Sequence, residues 1–412
     1  MSHDALIAEI QNWLIEETLF DPDIVELFGR VCERLGAAGI PLHRAALSWP
    51  TLHPLFQAEQ IYWREGRGSE LFQYRHESGT SEAFEQSPFG FILRHRLPHL
   101  RRRLTGPDAL ADFPVLRELK DKGFTDYLLT SANFSIAEVN RYRGGDSGIM
   151  ASWSTQREGG FSDADLAALI KVQKVFAVAC HASIQKRVMV NLAKAYLGET
   201  AAMRVLSGEV RRGDGERIRA VLWYSDLRRS TQLSNSMAPE DYLGLLREYY
   251  DCTAEPVIEE GGEVLQFIGD AVLGIFPLAG ADGFDDAARA AARAMDSALA
   301  RREARLERAK IEGAPPPALA FSISMAVGDV MFGNIGVPSR LTFSAIGSAV
   351  NRVARLDEMS KTLKRQVLVT PEIAAVEPGR WESLGIQRMR DFDEPVELFA
   401  RARTPAAKAA AE

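Results

Sequence analysis

The sequence predicts an α+β protein of two domains joined by a long helix, and three observations carry that prediction. The chain has 412 residues, more than one ordinary hydrophobic core organises. Residues 1–160 pass from helical periodicity to short aromatic and β-branched runs, whereas 206–403 alternates long helical stretches with strands and a hairpin. Between them, 161–205 holds no Pro or Gly before Gly198, so one helix of about 35 residues, near 50 Å at ~1.5 Å per residue, is expected.

Composition narrows the class. With 46% hydrophobic and 25% charged residues the chain reads as soluble and globular. Its 49 basic and 56 acidic residues leave a charge of −7, which argues against nucleic acid or an anionic membrane surface as the main partner. The three cysteines (Cys32, Cys180, Cys252) form no CxxC, hence neither a disulfide framework nor a zinc site is expected. The start, MSHDALIAEI, lacks the basic-then-apolar order of a secretory signal, and no run of 18 apolar residues occurs. No membrane span and a cytoplasmic location are therefore expected.

In the first domain, Leu6, Ile7, Ile10 and Leu14, then Ile24, Leu27, Phe28, Val31 and Leu35, recur at helical spacing on either side of Asp21-Pro22. Two amphipathic helices follow. From Arg44 onward RAALSW, EQIYWRE, DYLLTSANF and SGIMASWST read as strands, with RYRGGDS (141–147) as a turn. Six of the seven histidines fall here; His95 and His99 are four apart, as on one helical face, but Pro98 interrupts that helix and arginines surround them. A solvated basic face is the expectation, not a metal site.

The connecting helix opens at Ser162, with Asp165 at the capping-box position and Phe161 and Leu166 as a hydrophobic staple. Leu169, Val172, Phe176, Ala179, Ser183, Lys186, Val190, Ala193 and Leu197 follow a 3,4 spacing. That seam fits a parallel two-helix coiled coil between two copies, with an adjustable polar middle; packing on its own domain is the alternative.

In the second domain the order is strand 219–224, helix 238–258, hairpin 263–276, helix 282–311, strand 318–327, strand 341–346, helix 348–361, strand 366–370, helix, and two closing strands. GAPPPA (313–318) breaks the long helix, Thr370-Pro371 supplies a hydroxyl cap and a first-turn Pro, and 404–412 is a frayed tail. Asp226 follows the apolar run Val221–Trp223, and Asp270 sits in a Gly269-Asp270 turn between Val264–Ile268 and Val272–Phe276. Two strand-end carboxylates can hold divalent cations over a phosphate. By spacing alone, Asp226 as a helix cap and Asp270 as a turn residue is the favoured reading.

Four segments, YSDLRRST, GGEVLQFIGDAVLGIF, FGNIG and AIGSAVNRVARLDEMS, stand in that order. Through them, residues 215–402 resemble the catalytic domain of class III nucleotidyl (adenylate/guanylate) cyclases, an α/β sandwich. GIMASWSTQREGGFSDADLAALI resembles the last strand and helix of GAF-type sensor domains, which implies a small-molecule or protein regulator at the N-terminal domain.

The cyclase resemblance implies that a nucleoside triphosphate is cyclised as its 3′-hydroxyl attacks the α-phosphorus, with two Mg²⁺ or Mn²⁺ ions per site. Asp226 and Asp270 match the metal ligands. The turn Leu227, Arg228, Ser230, Thr231 matches the phosphate cradle, although Arg229 stands where the family usually has Gly. Asn351 and Arg355, four apart on one helical face, match the residues that orient ribose and neutralise the α-phosphate. Arg390 lies where the family places a basic residue on the terminal phosphates. Gln266 and Ser344 occupy the base-reading positions, where adenylate cyclases carry Lys and Asp or Thr, and guanylate cyclases Glu and Cys. A serine resembles the Thr type, which favours ATP. Glutamine and serine can each pair with either purine, so GTP stays open. The family builds each site from two protomers, which implies a homodimer with two equivalent sites. A catalytically inactive nucleotide-binding regulator is the second class, and it would lack some of these residues. A polymerase-like enzyme is opposed by the acidic balance.

Overall fold

The computed structural model describes residues 3–20, 22–76, 82–134, 136, 148–278, 283–390, 392 and 394–402. It forms two compact units, Met1–Tyr196 and Leu197–Glu412. The 141–147 turn, Asp21 and the 404–412 tail expected from sequence lie outside the described residues.

The first unit is built on a six-stranded antiparallel sheet of β1 (Arg44–Pro50), β2 (Phe56–Arg64), β3 (Gly68–Arg75), β4 (His99–Arg103), β5 (Asp126–Asn133) and β6 (Gly148–Thr155), in the order β3-β2-β1-β6-β5-β4. The four strands expected from β-branched and aromatic runs are all present. The two that sequence did not supply, β3 and the arginine-rich β4, are the sheet's edges; β3 has no buried residue and β4 only Leu100, so neither carries an apolar run to read. Helices His3–Thr18 and Ile24–Ala37 lie on either side of Pro22, the second capped by the Asp23 carboxylate on the amides of Val25 and Glu26. Their apolar faces meet Trp49, Trp63 and Trp153 in one core. His95 closes the helix Pro88–His95 and His99 opens β4, so the two histidines share no helical face.

The connecting helix is Asp163–Leu197, and its start forms as the sequence indicates. The Ser162 hydroxyl accepts from the Asp165 amide at 3.2 Å and the Asp165 carboxylate accepts from the Ser162 amide at 2.8 Å. The coiled-coil expectation needs correction over Leu169–Ser183. Leu169, Val172, Phe176, Ala179 and Ser183 are buried in the unit's own core, and the Ser183 hydroxyl donates to the Pro22 carbonyl. That half of the seam is consumed inside the unit and closed to a second helix, whereas Lys186 is exposed and Val190, Ala193 and Leu197 are half-buried; the face left outside also carries Val178, Met189 and Tyr196. By length and composition this helix could cross a bilayer, a property that the search for an unbroken apolar run missed, but 56% of its most apolar window is buried within the protein.

The second unit centres on an eight-stranded sheet: β7 (Gly215–Leu227), β8 (Glu263–Ile268), β9 (Ala271–Pro277), β10 (Phe321–Val337), β11 (Arg340–Ile346), β12 (Val367–Val369), β13 (Trp381–Gln387) and β14 (Val396–Arg401). The order is β13-β14-β12-β10-β7-β9-β8, with β11 paired to β10. Only β10–β12 is parallel among the described ladders. Ala220–Trp223 of β7, Ala271–Phe276 of β9 and Phe321–Val327 of β10 are buried without a break, because both faces of the sheet are covered there. On one face the helix Gly283–Ile311 presents Ala287, Ala291, Ala294 and Ala298, small enough for close approach to β7 and β9. On the other, Ala349 and Val353 of the helix Ser348–Thr362 pack on Leu222, Ala326 and Val330. β10 runs ten residues past its expected end at 327, because FGNIG continues it into the ladder with β11. Thr370 precedes the helix Pro371–Val376 but makes no side-chain cap, and its buried hydroxyl has no protein partner; Pro371 alone sets that start.

One buried charge pair ties the long helix to the first sheet. Glu59 on β2 is 1% exposed and accepts from Arg187 at 2.7 Å and from Gln73 at 2.8 Å. Arg187→Ala strands that carboxylate away from its charge partner. A loss of about 3 kcal/mol is expected, measured as a lower urea midpoint for the first unit's transition.

Candidate active site

The Asp226 position follows from strand register. In β7, Ser225 is buried against Tyr249 while Asp226 turns to the opposite face near the strand's end. Across the sheet it stands opposite Ala271 of β9 and Ser322 of β10. Asp270 belongs to the two-residue loop between β8 and β9, where Gly269 takes φ 62°, a conformation that glycine adopts without strain. The Leu227 amide donates to the Asp270 carbonyl at 3.1 Å, which locks the hairpin tip to the end of β7. The two carboxylates thus line one cleft of about 1090 Å³.

That cleft is strongly cationic. Arg228, Arg229, Arg302, Lys361, Lys364 and Arg365 share its lining with the two aspartates. The Asp226 side chain, 15% exposed, is paired to the Lys361 ammonium. Burial pushes the Asp226 carboxyl up, the Lys361 hydrogen bond opposes this, and the carboxylates of Asp357 and Asp270 push it up further, to about 6. Such a group gains from a divalent cation, which replaces the proton and removes the repulsion together.

The phosphate-cradle expectation is corrected in part. The amides of Leu227 and Arg228 are already spent on the carbonyls of Asp270 and Ala320. An anion in the cleft would meet the first-turn amides of the helix Ser230–Ser236, along with the Ser230 and Thr231 hydroxyls. Arg229, at the position where glycine was expected, has φ 61° and ψ 24°. The backbone geometry that favours glycine is kept although the residue is not glycine.

The remaining predicted residues lie elsewhere. Gln266 on β8 and Ser344 on β11 come together, the Ser344 hydroxyl donating to Gln266 Oε1 at 3.2 Å. Asn351 is exposed on the helix Ser348–Thr362, and Arg355 on the same face pairs with Glu358 at 2.6 Å. Arg390 is exposed in a turn after β13. None of these five is among the described residues lining the aspartate cleft. Sequence reasoning missed Lys361, Asp357 and the basic group Lys364-Arg365. The 3,4 spacing of Asp357 and Lys361 on the helix that carries Asn351 is the signal that could have found the first two.

Among the described residues no three His, Cys, Asp or Glu side chains gather into a closed metal centre. Two carboxylates beside cationic side chains fit a hard cation that takes its other ligands from water and substrate phosphates, as Mg²⁺ and Mn²⁺ do. Cys32 and Cys180 are fully buried and burial pushes their thiols up, which removes thiolate chemistry at those two positions.

Residues 216–387 match the family model described as the adenylate and guanylate cyclase catalytic domain. This part of the chain belongs to that family, the class III nucleotidyl cyclases. An adenylate cyclase of Anabaena cylindrica is 30% identical over 156 residues, covering 38% of this chain and 30% of the relative. An uncharacterized protein of Mycobacterium tuberculosis H37Rv is 32% identical over 193 residues, covering 45% of this chain and 32% of the relative. The chain thus spans about a third of the length of the curated relatives it matches. The solved adenylyl cyclase CyaB from P. aeruginosa aligns at 23% identity and a TM-score of 0.40, over 46% of this chain and 96% of that one.

Left-handed backbone at a residue with a side chain costs ~1–2 kcal/mol, and glycine returns part of that as unfolded-state entropy. Arg229→Gly should therefore raise the stability of the cyclase unit by about 0.5–1 kcal/mol, read from its denaturant midpoint.

Proposed function

We propose that the chain is an adenylate cyclase that converts ATP to 3′,5′-cyclic AMP and pyrophosphate at a homodimer interface, under control of its N-terminal unit. The observation that carries this reading is the pairing of Asp226 and Asp270 in a cleft rich in arginine and lysine. The carboxylates would hold two divalent cations, which lower the pKa of the attacking 3′-hydroxyl and neutralise the triphosphate. The first-turn amides and hydroxyls at Ser230 and Thr231 would receive the outer phosphates, with Arg228 beside them. Asn351 would orient the ribose and Arg355 meet charge developing at the α-phosphate, a contribution of about 2.7–4 kcal/mol to the barrier. Arg390 would contact the terminal phosphates.

Base choice rests on one hydrogen bond. With Ser344 donating to Gln266 Oε1, the Gln266 amide NH₂ is left as the outward donor, which suits the N1 acceptor of adenine better than the N1–H of guanine. Cyclisation of GTP is the second reading, since a carbonyl oxygen has two lone pairs and a serine hydroxyl both donates and accepts. The separation of the aspartate cleft from Gln266, Ser344, Asn351 and Arg355 supports the dimer: a second copy related by a two-fold axis would bring one set against the other, twice. The N-terminal unit, an antiparallel sheet flanked by helices, is read as a GAF-like regulatory domain whose signal passes along the helix Asp163–Leu197.

Purified chain supplied with ATP, GTP, CTP or UTP and Mg²⁺ or Mn²⁺ should yield mainly cyclic AMP, with Asp270→Ala inactive. Cyclic GMP as the main product would reverse the base assignment. No product from the full chain or from residues 206–412 would remove the enzyme reading. Asp270→Ala and Asn351→Ala, each inactive alone, should regain up to about a quarter of wild-type activity after mixing. Random exchange makes half the dimers mixed, and each mixed dimer holds one intact site of two. Continued inactivity of mixed dimers that have demonstrably exchanged would refute a site shared between copies.

A further inference from the structure

Lys361 belongs to none of the segments that carry the cyclase resemblance's expected chemistry, yet it makes the closest contact to the predicted metal ligand. It lies one helical turn after Asp357, and its ammonium donates to Asp226 Oδ2 with Asp357 Oδ2 3.7 Å away. The two carboxylates come from different elements, β7 and the helix Ser348–Thr362, so the ammonium bridges them. Asp357 is held in place independently: it is 2% exposed and accepts from the Ser322 hydroxyl. The Lys361 side chain itself is 50% exposed. Its ammonium is thus on a flexible four-carbon stem with solvent on one side and a fixed carboxylate pair on the other.

An ammonium and a hydrated divalent cation seek the same carboxylate oxygens, and two cations packed together on one carboxylate repel. We propose that Lys361 is a resident counter-ion of Asp226 that a divalent cation must displace, so that metal entry and release of the lysine are a single event. This rests on the reading of Asp226 as a metal ligand. The displaced ammonium keeps Asp357 as an anchor and remains in a cleft that it shares with Arg228, Lys364 and Arg365. A triphosphate in that cleft offers it a new anionic partner. Metal therefore loads poorly alone and well together with nucleotide, which makes Lys361 a positioning residue for the cation.

The test is Mn²⁺ binding to the full chain without nucleotide, followed by the electron paramagnetic resonance signal of free Mn²⁺. Lys361→Met should bind Mn²⁺ about tenfold more tightly than the wild type, the lower end of what one opposite charge does to a neighbouring carboxylate. Lys361→Gln, polar and neutral, should do the same, and serves where the methionine variant does not fold. Lys361→Arg should stay close to wild type, and Asp226→Asn should abolish the site in every background. With 3′-deoxy-ATP present, the gap between wild type and Lys361→Met should narrow. Equal or weaker Asp226-dependent affinity in the neutral variants overturns the proposal and leaves the metal reading standing. Absence of any Asp226-dependent binding overturns both. A lysine that merely holds the helix in place would not tighten metal binding when removed.

Discussion

The constraint on which the cyclase unit depends is the placing of two carboxylates at one end of adjacent strands. Asp226 and Asp270 repel each other, and burial of Asp226 adds to the cost. The fold meets that cost with backbone and with counter-charge. The Leu227 amide fastens the hairpin tip to β7, the register sets Asp226 opposite Ala271 and Ser322, and Lys361 supplies the positive charge. Around them a cleft lined with arginine and lysine suits an anionic, polyphosphate-like ligand far better than an apolar one.

Backbone geometry at this site is preserved even where residue identity is not. Arg229 occupies left-handed space that a glycine would take freely, and such outliers persist only where the surroundings enforce them. Here the enforcement is visible on its N-terminal side. The amides of Leu227 and Arg228 are tied to Asp270 and Ala320, and the chain must then turn sharply into the helix Ser230–Ser236. The turn is therefore fixed by what precedes and follows it, and an arginine at its apex adds one more cation to the cleft.

The N-terminal unit shows how a periodic pattern can be read correctly and assigned to the wrong partner. The 3,4 spacing from Leu169 to Ser183 does mark a buried helical face, but what buries it is the unit's own core, Phe28 of the helix Ile24–Ala37 included, rather than the same helix of a second copy. Periodicity reports that a face is buried and is silent about what buries it. The Glu59–Arg187 pair, 128 residues apart, gives the same helix a polar anchor that no local pattern could announce.

The sequence by itself determined most of the elements, because hydrophobic period, capping residues and turn glycines act over a few residues. The reciprocal Ser162–Asp165 cap, the Gly269-Asp270 hairpin and the order of the cyclase segments were all legible in this way. The edge strands β3 and β4 were not, since they bury almost no side chain and so carry no apolar run, and the Thr370 hydroxyl is buried without making the cap that its position suggested. Of the residues lining the aspartate cleft, the sequence named Asp226, Asp270, Leu227, Arg228, Ser230 and Thr231. Only the tertiary structure brought the aspartates into one cleft, set Gln266 on Ser344 elsewhere, and placed Lys361 on Asp226 across 135 residues of chain. The physical reason is one of range: propensity and periodicity are local, whereas the meeting of charges is decided by strand register and by the packing of a helix on a sheet.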